Sequence, residues 1–218
     1  MAFMKCILCE RRKSKRFCPA KDAQICPQCC GEKRVLEIHC PESCSYLKVG
    51  RNHEATEYAR HIHSLDARHA ERNERVLGQF QGVVSHLEYV IGRERLQSRD
   101  MTDQAVAEAA GLLLDTYRTE DKGILYERTS DDLVVEPLRR QLREVIQSYR
   151  GSRPEDGGGI VDPRQQRLPL RAAIECLEFI RDVVASHREN RAAPTSYVDL
   201  LARLFPRDEK AGGSIIIP

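Results

Sequence analysis

Eight of the nine cysteines in this 218-residue chain fall within its first 44 residues, at Cys6, Cys9, Cys18, Cys26, Cys29, Cys30, Cys40 and Cys44, with His39 among them. A stretch so short and so poor in large apolar side chains cannot bury enough surface to fold unaided. Metal coordination can supply what burial does not, so the segment reads as a module held by two structural zinc ions. The opening Met1-Ala2-Phe3-Met4-Lys5-Cys6 has no basic leader and no cleavage site, and the chain has no apolar run long enough to span a bilayer. A cytoplasmic location with no membrane contact is expected, and in a reducing compartment clustered cysteines bind metal rather than pair as disulfides.

The spacing divides the ligands. Two cysteines separated by two residues bring both sulfurs of a tight turn to one ion, and two such pairs complete a tetrahedron. Cys6, Cys9, Cys26 and Cys29 are therefore the expected first site. Cys30 cannot readily join its neighbour Cys29 on the same ion, since adjacent side chains diverge. It is assigned to a second site with Cys18, Cys40 and Cys44, for which His39 is an alternative ligand. The two sets then interleave along the chain.

Interleaving of this kind resembles the cross-brace zinc modules, with HIT-type and B-box fingers nearest in opening rhythm over residues 1–45. Phe17-Cys18-Pro19 is similar to the aromatic-Cys-Pro of the HIT pattern. The cysteine which that pattern places two or three residues later is replaced here by the run Ala20, Lys21 and Asp22, so either Asp22 or Cys30 must serve in its stead. The block Cys26-Pro27-Gln28-Cys29-Cys30-Gly31, followed by Lys33-Arg34 and Cys40-Pro41-Glu42-Ser43-Cys44, also resembles bacterial Cys-rich proteins of uncharacterised function. Iron is the alternative to zinc, because an all-thiolate set suits both metals. A catalytic zinc would keep an open position, whereas here ligands are in surplus.

Charge distribution bears on partners. Residues 1–52 hold eleven Lys or Arg against five Asp or Glu, and five of the eleven form the run Arg11, Arg12, Lys13, Lys15 and Arg16. Such a run is a candidate nucleic-acid contact. Eight thiolates holding two zinc ions would cancel most of that excess, which leaves the run as a local patch.

Beyond residue 50 the apolar spacing is helical. Tyr58, Ile62 and Leu65 come first, then Val76, Phe80, Val83, Val84, Leu87, Val90 and Ile91, with Gly78 and Gly82 marking a bend or break. Thr102 is placed as the N-cap of a helix reaching about Arg118, and Ser130 as the cap of another that Pro137 kinks or restarts. After the glycine-rich loop near 150–160, a fourth helix buries Leu170, Ala173, Ile174, Leu177, Ile180 and Val184, starting at Asp162-Pro163 or beyond Pro169; a fifth runs from Ser196 to Phe205. The expected architecture is a small metal-stabilised module (1–50), an all-α helical bundle (51–206) and a tail (207–218).

Cys176 is read as a small buried hydrophobe. A cysteine-metal module beside a helical bundle would also resemble rubrerythrin, whose bundle carries two iron ions on paired Glu-x-x-His motifs. This chain has Asp66-Ala67-Arg68-His69 once, so His61, His63, His69 and His86 read as a polar helix face. The tail ends in Ser214, Ile215, Ile216, Ile217 and Pro218, which suits docking to a partner's sheet edge or apolar groove. No nucleophile-base pair, phosphate-binding loop or carboxylate pair points to a catalytic residue. The expectation is a non-enzymatic zinc-binding adaptor or regulatory protein that meets a protein or ribonucleoprotein partner. Two alternatives stand beside it, a rubrerythrin-like electron-transfer or oxidoreductase protein and a nucleic-acid-binding regulator that uses the basic run.

Overall fold

The computed structural model describes residues 4–151, 167–190 and 193–206. Contacts divide the described residues into two compact units, one made of those up to Glu57 with 202–206, the other of those within Tyr58–Leu201.

The N-terminal unit is built from short pieces. Strands β1 (Arg16–Cys18) and β2 (Ala23–Ile25) pair antiparallel, with Cys18 opposite Ala23. Alternation along β1 turns Cys18 inward and leaves Phe17 exposed. Asp22 closes the intervening loop at φ 46, in the left-handed region that Asp tolerates. Helix α1 (Pro27–Lys33) follows, with Cys26 as N-cap and Pro27 at the first helical position, where a missing N–H costs nothing. Helix α2 (Ser45–His63) begins earlier than the apolar spacing implied, because the Cys44 carbonyl accepts the backbone N–H groups of Leu47 and Lys48 at 3.1 and 3.2 Å. The core of this unit is mostly sulfur: Cys6, Cys18, Cys26, Cys29 and Cys30 are buried with Ile25 and Ile38, and Leu8, Cys9 and Cys40 pack against them.

The second unit is helical. A single 3₁₀ turn at Ala67–His69 leads into α3 (Ala70–Gln79), α4 (Gln81–Gln97), α5 (Asp103–Asp121), α6 (Val135–Gly151), α7 (Leu170–Asn190) and α8 (Ser196–Leu204). Neighbours close a ring: α4 lies beside α6, α6 beside α5, α5 beside α7, and α7 beside α4, with α3 packed on α7 and α4. Val83, Val84, Leu87, Ile91, Val106, Ala110, Leu113, Leu142, Leu177 and Ile180 fill the interior, so the stripes expected from spacing face the core.

Local signals explain most boundaries. The expected interruption between Gly78 and Gly82 falls at Phe80, which ends α3 and precedes α4. Thr102 caps α5, its Oγ accepting from the Ala105 N–H at 3.2 Å. Asp132, not Ser130, caps α6: its carboxylate accepts from Val134 and Val135 N–H at 2.8 and 2.9 Å. Pro137 then sits in the first turn, where it neither kinks nor restarts the helix. Helix α7 starts directly after Pro169. The loop near 150–160 and Asp162-Pro163 lie outside the described residues, apart from Arg150 and Gly151.

Candidate metal centre

The chain brings Cys6, Cys9, Cys26 and Cys29 together, with all four sulfurs within 4.8 Å of one another. A tetrahedral ion with bonds near 2.3 Å would set its sulfurs about 3.8 Å apart, and Cys9 and Cys26 already stand at 4.0 Å. This four-cysteine group in the N-terminal unit is of the kind zinc-finger-like modules use, and it could hold a metal ion.

Two local devices deliver these sulfurs. The first pair lies in a turn: Cys6 N–H donates to the Arg12 carbonyl at 2.9 Å, Glu10 N–H returns to the Cys6 carbonyl at 2.8 Å, and Glu10 takes φ 52. The second pair spans the start of α1, where the Cys26 sulfur accepts the Cys29 N–H at 3.3 Å. Burial pushes the Cys6 thiol up, yet the backbone N–H groups of Cys26, Leu8 and Cys9 outweigh it and bring the thiol below its ordinary range. The Arg11 and Arg12 N–H groups lower Cys9, and the Cys29 N–H lowers Cys26. Cys29 moves the other way, to about 12, because it is desolvated and faces the neighbouring sulfurs. A divalent cation among the four removes that like-charge penalty, which is how a thiolate site couples proton release to metal binding.

Arg12 belongs to this site. Its guanidinium approaches the sulfurs of Cys26 and Cys29 at 3.9 and 4.0 Å. Arg16 lies over the Tyr46 ring at 4.8 Å, whereas Arg11, Lys13 and Lys15 are exposed. The basic run is thus divided between support of the module and its outer edge.

Cys18, Cys30, Cys40 and Cys44 line one small cavity together with Ile25, Ile38 and Arg34. Cys30 follows Cys29 on α1, and a step of one residue along a helix turns its side chain to a different face. Burial is the main influence on Cys40, pushing its thiol up, while the Val35 backbone N–H donates to it. Val35 itself takes φ 64, a conformation that β-branched residues rarely adopt. Neither His39 nor Asp22 lines the cavity; both are exposed.

Sequence reasoning missed Arg34, Val35 and Gly50. A weak signal existed in Gly50, a glycine inside what proves to be a helix. It also missed a buried polar cluster in the second unit, where Tyr58 and Tyr197 both donate to the Glu88 carboxylate, Tyr197 at 3.2 Å. Desolvation lifts Glu88 to about 7 against the pull of the two hydroxyls. His187 packs beside Tyr197, and His61 meets His187 edge to face at 4.3 Å.

The remaining candidates are dispersed. His69 meets one carboxylate, Asp182, at 2.9 Å, and His86 packs on Tyr149. Among the described residues, no group of three or more His, Cys, Asp or Glu ligands gathers besides the four-cysteine group. Cys176 is fully buried on α7, its thiol pushed up to about 12 by desolvation, as suits a small core residue. Ser214 to Pro218 lie outside the described residues. Among the described residues, no helix is long and apolar enough to cross a membrane. No family model, curated protein or solved structure matches the chain.

Proposed function

We propose that this chain is a zinc-stabilised adaptor: the N-terminal unit, ordered by one zinc ion in each cysteine set, presents a recognition surface to a protein or ribonucleoprotein partner. The observation that carries the reading is the group of Cys6, Cys9, Cys26 and Cys29, whose four sulfurs lie within 4.8 Å of one another and are enough to complete a tetrahedron around one ion. Three of the four are buried, as suits an ion that holds structure rather than one that turns over. In the second set, the cavity shared by Cys18, Cys30, Cys40 and Cys44 supports an all-cysteine ligand set over one using His39 or Asp22.

The exposed edge of Arg11, Lys13 and Lys15 gives the ribonucleoprotein version its footing. Phosphate contacts of this sort weaken with salt, at close to one power of salt concentration per phosphate neutralised.

Elemental analysis and affinity capture test the proposal together. The purified full chain is expected to carry zinc and no visible absorption, and to lose its captured partner when Cys6 and Cys9 are replaced by Ser. Stoichiometric iron with visible charge-transfer bands would overturn the zinc reading, and undiminished partner recovery by the Cys6, Cys9 variant would overturn the adaptor reading. Replacement of Arg11, Lys13 and Lys15 by Gln is expected to flatten the salt dependence of RNA binding.

A further inference from the structure

The second cysteine set has a neighbour of unusual character. Arg34 lines the same cavity as Cys18, Cys30, Cys40 and Cys44. Its Nε and Nη1 atoms are buried and find no hydrogen-bond partner among the described residues. Arg34 is half-buried, and two of its three guanidinium nitrogens are withdrawn from water without an acceptor, which is costly unless something compensates the charge. None of the four sulfurs that share the cavity accepts a hydrogen bond from these atoms, so what they offer Arg34 is charge. Four thiolates on one divalent ion make a dianion, and N–H donors around a thiolate site stabilise it and orient its ligands.

Gly50 fixes where the guanidinium sits. A Cβ placed on Gly50 would overlap Nη1 and Cζ of Arg34. The guanidinium therefore rests directly against the bare Cα of α2, a seat that no other residue type at position 50 would leave open. Glycine is a poor choice inside a helix, and this close approach supplies its reason. The first site has a different arrangement, since Arg12 reaches its sulfurs from the exposed side of the unit.

We infer that Arg34, seated on Gly50, is the internal counter-cation of a second metal site formed by Cys18, Cys30, Cys40 and Cys44. The inference rests on the two-ion reading above and adds the group that neutralises the second ion. It makes Arg34 a positioning residue: it binds no metal, and it acts through the thiolates.

Full-length protein and its Arg34→Gln, Arg34→Lys and Gly50→Ala variants, loaded with zinc or cobalt(II), test this by metal count per chain, competition with a chelator of known affinity, and the sulfur-to-cobalt charge-transfer bands. Wild type is expected to hold two ions per chain. Arg34→Gln should keep one ion at wild-type affinity and bind the other at least about tenfold more weakly, in the range seen when the outer partners of a metal site are removed. The cobalt bands of the weakened ion should shift. Arg34→Lys should restore most of the affinity, and Gly50→Ala, which displaces the guanidinium, should behave like Arg34→Gln. Retention of the first ion reports that a variant unit is folded. Unchanged affinity for both ions in Arg34→Gln would overturn the inference, as would an Arg34→Lys variant no better than Gln. A wild-type chain with one ion, lost on replacement of Cys6, overturns the inference and leaves the first site standing; a chain with no ion overturns both.

Discussion

Glu88 is a carboxylate in a place where carboxylates are rare. It is 6% exposed, and its visible compensation is two tyrosyl hydroxyls rather than a cation. Desolvation raises its pKa in the folded chain to about 7, from an ordinary value near 4.5. A raised pKa means that the folded state holds the proton more tightly than the unfolded state. The stabilisation is fully present below pH 4.5 and is lost as pH rises through about 7. On that basis Glu88→Gln, which keeps an oxygen acceptor for both tyrosines, should be near neutral at pH 4.5 and should stabilise the chain at pH 8 by about 3 kcal/mol. Urea unfolding of both proteins at the two pH values checks this, and a pH-independent difference would contradict it. Nothing in the apolar spacing of α4 distinguishes Glu88 from the solvent-facing glutamates, since its partners come from positions 58 and 197 and meet it only in the folded chain.

Helix ends show a similar division between what is local and what is not. The Thr102 cap and the interruption at Phe80 are written in adjacent residues and are legible as such. The start of α8 is not local: buried Asp103, the first residue of α5, accepts the Ser196 hydroxyl at 3.0 Å and the N–H groups of Tyr197 and Val198 at 3.1 and 3.0 Å. A side chain from one helix thus serves as the cap of another, ninety-odd residues away in sequence. Asp103→Ala leaves those donors buried without an acceptor and should cost about 3 kcal/mol, as hydrogen bonds to a charged partner do. Denaturant unfolding gives the magnitude, and faster hydrogen exchange at Tyr197 and Val198 locates it. The first cysteine site was legible for the same reason as the Thr102 cap, since its two pairs are each a short turn. That Cys18, Cys30, Cys40 and Cys44 line one cavity follows from how β1, α1 and the start of α2 pack, and Arg34 lines it too, against a glycine sixteen residues downstream.

At the scale of the whole molecule the two units depend on different forces. The helical unit has an apolar interior of its own, with Val76, Leu87, Ile91, Leu113, Ile146 and Leu177 at or near zero exposure. The N-terminal unit has Ile25 and Ile38 among its sulfurs. Removal of metal by a strong chelator should therefore unfold the N-terminal unit while most of the far-ultraviolet helical signal persists. Limited proteolysis of the chelated protein should cut before Glu57 and spare α4 to α7. Loss of most helical signal on chelation would contradict the separation.

The hairpin carrying Cys18 lies between the two halves of the first quartet, and α1 carries Cys29 and Cys30 in succession. No peptide bond between Cys9 and Cys26 can be opened without disconnecting ligands of the first set. No excision of that stretch leaves the second set whole. On the two-ion reading the unit is thus indivisible in the sense that a knot is: neither quartet can be lifted out as a smaller finger, and a chain emerging from the ribosome completes the first before the last two cysteines of the second have been made.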